Sequence, residues 1–298
     1  MKSNFSRLIL LALTALLVAT PSSFAQRQLG KKKGPTSKIY LAEAIGDSQI
    51  ETGEKIYTAK QATAFDAPGT VIVTKAGAHN AYVYSNGTGM FVDESTRVEI
   101  DRFVQEPFQP NRQTAAEAPY EPSISQSEVH VAHGAVGICT SQLVSGSSML
   151  YTTPQASMNI RGGKVSIQTN ADETIIDLLD GDLTVRGGSK DVGGQILRPG
   201  ERAVIRAAAG NRAPTITISR IPQEDINASD ARVTVACNAR KTVTFDIIEK
   251  KAEVGLDSSG DLPTDGGDGG GSEIIVKPTV PAEPPINIAI SPDRLPGT

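Results

Sequence analysis

Three histidines and two cysteines stand out as the side chains that could do chemistry in this chain. His130-Val131-Ala132-His133 invites a metal pair. On a strand, however, residues i and i+3 point to opposite faces, and the chain lacks a His-x-His with a following Glu. With His79 isolated, the expectation is turn or surface histidines and no metal site. Ser125, Ser145 and Ser147 lie in turn-like sequence without a Gly-x-Ser-x-Gly elbow, so no nucleophilic triad is expected. Asp172, Glu173, Asp177, Asp180 and Asp182 are spread over one strand–turn–strand unit and read as solvated strand faces, not as a glycosidase acid pair. Asp257, Asp261, Asp265 and Asp268 fit neither the EF-hand nor the nonapeptide calcium spacing. Gly162-Gly163 and Gly187-Gly188 precede no helix and read as turns rather than phosphate loops. No catalytic residue and no cofactor is predicted.

The elements that would position any such groups are strands. From Leu150 to Arg206 apolar and polar residues alternate in short runs, closed by Thr-Pro, Gly-Gly, Asp-Gly and Pro-Gly. The same pattern begins near Ile39 and includes Thr70–Thr74, Ala81–Tyr84, Thr88–Val92 and Arg97–Ile100. Asn86-Gly87 within it predicts a type I′ hairpin turn. Pro107, Pro110, Pro119 and Pro122 interrupt it, because proline supplies no ladder donor; Glu106–Gln126 therefore reads as a loop or extended arm. Strands resume near Val129 and end at Thr215–Ile221. Ser229 then caps a short helix, Asp230–Lys241, with Val233, Ala236, Cys237 and Arg240 or Lys241 at helical spacing, although Val233-Thr234-Val235 argues for strand. Val243–Ile248 reads as one more strand. Beyond Lys250 the Gly/Asp and Pro-rich composition cannot offset its ordering entropy, which predicts a disordered tail.

The first residues predict export. Lys2 and Arg7 precede the apolar run Leu8–Ala19, with Ser23 and Ala25 at the −3 and −1 positions of a cleavage site between Ala25 and Gln26. That run falls short of the roughly 20 residues of a membrane span, so no integral span is expected after cleavage. No Cys follows it to be acylated. Arg27 and Lys31-Lys32-Lys33 sit in a flexible leader. The chain has 298 residues, 29 basic and 33 acidic, for a net charge of −4, which leaves no basic footprint for nucleic acid. Cys139 and Cys237 are the two thiols of an exported chain and are read as a disulfide, with two buried free thiols as the alternative. The loop-entropy relation puts an upper figure of roughly 4.7 kcal/mol on closing a loop of about 100 residues.

Several of these pieces, in order, resemble the FecR domain, the periplasmic module of iron-transport regulators. In the front half, Asn86-Gly87-Thr88 stands where that family has Asp-Gly-Thr, and Ser95 with Val98-Glu99-Ile100 fits the end of its unit. In the back half, Thr153-Pro154 and Met158–Ile167 fit its Thr-Pro, strand, Gly-Thr, strand element, with Gly163 replacing Thr after Gly162. Asp180-Gly181 falls in its Glu-Gly-x-Val-x-Val step, and Pro199-Gly200 in its closing Leu-x-Pro-Gly-Glu-x-Ala. The resemblance implies an all-β module of stacked short antiparallel strands, solenoid- or sandwich-like, in two halves. The expected organisation is a signal peptide at 1–25, the leader at 26–38, the front half at 39–103 and a Pro-rich insertion at 104–128. The back half follows at 129–221, a helix-and-strand extension at 222–249 and the tail at 250–298.

A regulator of the family also carries an anti-sigma segment and a receptor-contacting domain, for which Met1–Arg7 and the tail offer no counterpart. The expectation is therefore a non-enzymatic protein of the periplasm or exterior that contacts an envelope protein or polysaccharide. A sensory partner acting in trans is the alternative, and a wall-glycan enzyme a third reading. Strand addition to an exposed sheet edge is the physically suited mode.

Overall fold

Period-2 alternation in the sequence becomes two faces of a sheet, and here the sheet folds over on itself. The computed structural model describes residues 37–108, 114–188, 191, 193–207, 214–248 and 273–278. The signal-peptide residues, including Ala25 and Gln26, the leader up to Thr36 and Asp257–Asp268 lie outside them.

The front half forms β1 (Lys38–Ile45), β2 (Ser48–Thr52), β3 (Lys55–Thr58), β4 (Thr63–Asp66), β5 (Thr70–Thr74), β6 (His79–Tyr84), β7 (Gly89–Val92) and β8 (Arg97–Gln105). The back half forms β9 (Ser125–Thr140), β10 (Ser148–Thr152), β11 (Ser157–Thr169), β12 (Glu173–Arg186), β13 (Gln195–Leu197), β14 (Glu201–Arg206) and β15 (Thr215–Arg220). Helix α1 (Gln223–Lys241) follows, and then β16 (Val243–Ile248) pairs antiparallel with β17 (Glu273–Pro278) in a separate ladder. β17 includes Ile274-Ile275-Val276, within the span read as tail. β8 runs on to Gln105 and β9 starts at Ser125, so the interruption is shorter at both ends than 104–128.

Pairing registers sort the strands into two layers. The first runs β4–β1–β6–β7–β9–β11–β12–β14–β15, and the second β3–β2–β5–β8–β9–β10–β11–β12–β13. β9, β11 and β12 appear in both. Gly134–Thr140 of β9 pairs with β7 and β11, whereas Ser125–His133 pairs with β8 and β10. β12 pairs with β14 through Glu173–Leu178 and with β13 through Leu183–Val185. Three long strands thus bend from one layer into the other. Ile39, Tyr82, Met90, Ile138, Ile167 and Ile176 of the first layer meet Ile72, Ile100, Phe103, Tyr151, Met158 and Leu183 of the second in one core.

The first layer is covered on its outer face as well. Tyr40, Ala42, Ala81 and Val83 pack with Ala239 of α1, and Phe91 and Cys139 with Val233 and Ala236. This double burial explains the near-continuous apolar runs of β6 and β7. α1 starts at Gln223 after Pro222, not at Asp230. Ser229 is not its cap: it lies buried inside the helix and donates to Asp177 Oδ2 at 2.6 Å.

Asn86-Gly87 also differs from expectation. A type I′ turn needs positive φ at both central residues, but here only Gly87 has it (+86°). Gly87 N–H donates to Tyr84 C=O and Tyr84 N–H to Thr88 C=O, which closes a wider loop. Asn86 is held inward instead, its amide donating to Ser125 Oγ at 3.1 Å and to Glu121 Oε2 at 3.3 Å.

Candidate functional site

Helix α1 is fixed to the first layer along its length. Near its start Arg202 forks onto buried Asp177 (2.6 and 2.7 Å) and also reaches Asp225 at 2.5 Å. These two carboxylates hold the Arg202 guanidinium above its ordinary range, Asp177 first. Asp177 is therefore a buried anchor and not a solvated strand carboxylate. At mid-helix Arg232 meets Asp93 at 2.9 Å. Cys139 and Cys237 form the disulfide, with Cα atoms 5.2 Å apart and 98 residues between them in sequence. The approach there is backbone to backbone. A Cβ on Gly137 would lie 2.5 Å from the Arg232 carbonyl carbon, and one on Gly89 would overlap the Ala236 carbonyl oxygen.

At the last turn Arg240 lies buried. Its Nε donates to Gly87 C=O at 2.7 Å, and Nη2 donates to Ala115 C=O at 2.6 Å and to Ser141 Oγ. Nη1 faces Cys139 Sγ at 3.5 Å. Among the described residues no carboxylate pairs with it, and burial pushes the guanidinium down to about 10, so it remains a cation at neutral pH.

Arg240 forms one wall of an open cleft of about 560 Å³. Thr140 at the end of β9, Ser141 and Gln142 beyond it, Gly162-Gly163 of β11, Asp180–Asp182 of β12, Pro199, and Ala118-Pro119 of the interruption line the rest. Five of the residues singled out by the resemblance (Gly162, Gly163, Asp180, Gly181 and Pro199) therefore meet in one place. Four of them form the bend of the two long strands, and Pro199 lies in the turn between β13 and β14. Gly163 (φ +112°) and Gly181 (φ +95°) face each other across the ladder, and a Cβ on either would run into the other strand's carbonyl. Gly200 adjoins them, donating to Leu178 C=O at 2.7 Å. Asn86 and Thr88 lie outside the cleft wall. Thr88 reaches it through a 2.8 Å hydroxyl contact with Thr140, and Gly87 through Arg240.

The interruption does not hang free. Glu121 is buried, accepting from Ser125 Oγ (2.5 Å) and Val144 N–H (3.0 Å), while Tyr120 bridges to Gln142. Neither Glu121 nor Arg240 was identifiable from sequence. The one sequence signal that bears on them is the helical spacing that sets Arg240 or Lys241 after Val233 and Ala236. His130 Nδ1 contacts Thr152 Oγ1 at 2.9 Å, His79 lies 3.5 Å from Glu43 beside the Phe91 ring, and His133 is exposed. Among the described residues, no three His, Cys, Asp or Glu side chains cluster to hold a metal, and no helix is long and apolar enough to cross a membrane.

The remaining accessible features are the sheet ends. β4 and β15 terminate the first layer, β3 and β13 the second. β15 alternates exposed Thr215, Thr217 and Ser219 with half-buried Ile216 and Ile218, and its outer edge pairs with no described strand. β3 is exposed throughout, with Ile56 at 65% and Tyr57 at 42%.

No protein-family model matches this sequence, and no curated protein matches it. Two crystal structures of a candidate anti-sigma factor from Parabacteroides distasonis, at 2.50 and 1.65 Å, each align with a TM-score of 0.38 and 14% identity over 53% of this chain. The chain spans 62% and 63% of their lengths.

Proposed function

We propose that this chain is an exported, non-enzymatic, FecR-like module that acts at the bacterial cell envelope by holding a partner protein, which adds a strand along β15. The observation that carries this reading is the outer edge of β15. It runs for six residues, contains no proline and no charge before Arg220, and pairs with no described strand. Soluble proteins usually blunt such an edge with charge, proline or a bulge, and an unblunted edge is a template for main-chain hydrogen bonds from another chain. The signal-peptide pattern and the ordered FecR-like motifs support the compartment and the class. The polar cleft, assembled around bends and a guanidinium already bonded to carbonyls, supports a scaffold more than a reaction centre.

The test is crosslinking of the mature chain to envelope extract, comparing it with a Thr217→Lys/Ser219→Lys variant that places charge along the edge. A specific protein captured by the native chain and lost in the folded variant supports the reading. Equal capture by both, or retention on wall polysaccharide alone, overturns strand addition at β15. If the captured protein is a membrane receptor or a sigma regulator, the role is the sensory one in trans.

A further inference from the structure

We infer that the opposite end of the second layer, the β2–β3 hairpin, is a homodimer interface at which two copies pair β3 to β3 across a two-fold axis through Tyr57. The proposal concerns a surface separate from β15 and stands independently of the strand-addition reading.

The register follows from hydrogen-bond parity. β2 and β3 join tightly, with Thr52 opposite Lys55 and Ile50 opposite Tyr57, and Ala59 N–H donates to Ser48 C=O at 2.9 Å. In an antiparallel ladder, residues that exchange both bonds with a partner alternate with residues that exchange none. Lys55, Tyr57 and Ala59 therefore bond inward to β2, and the N–H and C=O groups of Ile56 and Thr58 point outward. Among the described residues β3 pairs with no other strand.

An antiparallel copy must set outward groups against outward groups, which excludes every register that shifts by one residue. Of those that remain, the one centred on Tyr57 places Ile56 opposite Thr58 twice and Tyr57 opposite itself. It also places Glu54 of each copy opposite Lys60 of the other. Glu54 and Lys60 are both exposed, so the two ends of the contact carry opposite charges. Shifting the centre to Ile56 or to Thr58 sets Glu54 against Thr58 or Ile56 against Lys60, and both charge pairs are lost. The chosen register also covers the most exposed apolar side chains of this end, since both Ile56 side chains lie diagonally across the seam and both Tyr57 rings lie on the axis. A short seam of this kind, with four main-chain bonds and two ion pairs, fits a reversible dimer rather than an obligate one.

The experiment uses the full mature chain in sedimentation velocity and oxidative crosslinking. Tyr57→Cys is expected to form an intermolecular disulfide, because facing residues of a non-hydrogen-bonded pair have Cα atoms about 4.5 Å apart. Ile56→Cys, offset from its copy, should crosslink far less. Thr58→Pro removes an outward donor while leaving the inward bonds to β2, and should be monomeric. Glu54→Lys and Lys60→Glu should each weaken dimerisation about ten-fold, and the double variant should restore it. A native chain that stays monomeric at high micromolar concentration, or charge reversals that do not rescue one another, would overturn the proposal. A monomer that still captures its partner through β15 would overturn the dimer and leave the proposed function standing.

Discussion

At the scale of single residues, the cation buried under the cleft is the least expected feature and the most testable. Arg240 satisfies two carbonyls and a hydroxyl but, among the described residues, meets no carboxylate. Arg240→Ala should therefore lose about 2–4 kcal/mol, from two orphaned buried carbonyls plus the vacated space. Arg240→Met fills that space and removes an uncompensated charge, so it should lose less. Chemical denaturation of both variants checks the order. Asp191 gives a pH-dependent counterpart. N–H groups of Gly187, Gly194 and Gly193 bond its carboxylate and, with Gly187 first, hold it below the ordinary carboxylate range. A carboxyl depressed in the folded state adds stability that is fully present above its unfolded value and is lost as pH falls through the folded one. Protection of the Gly193 and Gly194 amides, relative to their intrinsic exchange at each pH, should accordingly fall only in that acid window, and Asp191→Asn should flatten the dependence. The pairing of Cys139 with Cys237 was legible in the sequence because two thiols in a chain read as exported leave few choices. Arg240 was not, since a basic residue in a helix's last turn is ordinarily explained by the helix dipole and solvent.

At the scale of elements, the helix illustrates what local signals miss. Ser229 followed by Asp230 has the chemistry of a helix start, yet tertiary bonds to Asp177 recruit Ser229 to the helix interior, and the first turn begins after Pro222 with Glu224 and Asp225 facing the dipole. The apolar part of the buried face was readable, because Val233 and Ala236 recur at helical spacing and are both buried. What no periodicity reveals is how closely that face approaches the sheet. Gly89 and Gly137 lie under the helix backbone, so Gly137→Ala forces main chain against main chain and should cost about 1–3 kcal/mol or more. Lys164, opposite Cys139 in the ladder, is exposed, and Lys164→Ala should be near neutral by comparison. Removing the disulfide by Cys139→Ala with Cys237→Ala should cost about 2–5 kcal/mol. With Asp177–Arg202–Asp225 still in place, far-ultraviolet dichroism should show the helix retained at low temperature.

At the scale of the whole molecule, the halves seen in the sequence are not halves of the structure. The Pro-rich interruption suggested a front half and a back half of one module, because proline ends ladders and strand composition resumes only afterwards. Strand content and turn positions were legible, since alternation and Gly or Pro punctuation are local. The partners of a sixteen-residue strand are not local. β9 follows the interruption, yet one of its edges pairs with β7 and β8 from before it, and the other with β10 and β11 from after it. Each layer thus contains strands from both sides of the interruption, and one core joins them. The consequence is a single cooperative unit. Residues 37–105 produced alone would expose the face of β7 and β8 that β9 covers, together with half of the core. Residues 125–248 alone would leave β9 with one open edge along its length and α1 without β6 and β7 beneath it. Neither fragment should give dispersed amide spectra, whereas mixing them should restore dispersion through β9. The intact chain should melt in one calorimetric transition with equal calorimetric and van't Hoff enthalpies. Two resolved transitions, or a front fragment that folds unaided, would show that the interruption separates domains after all.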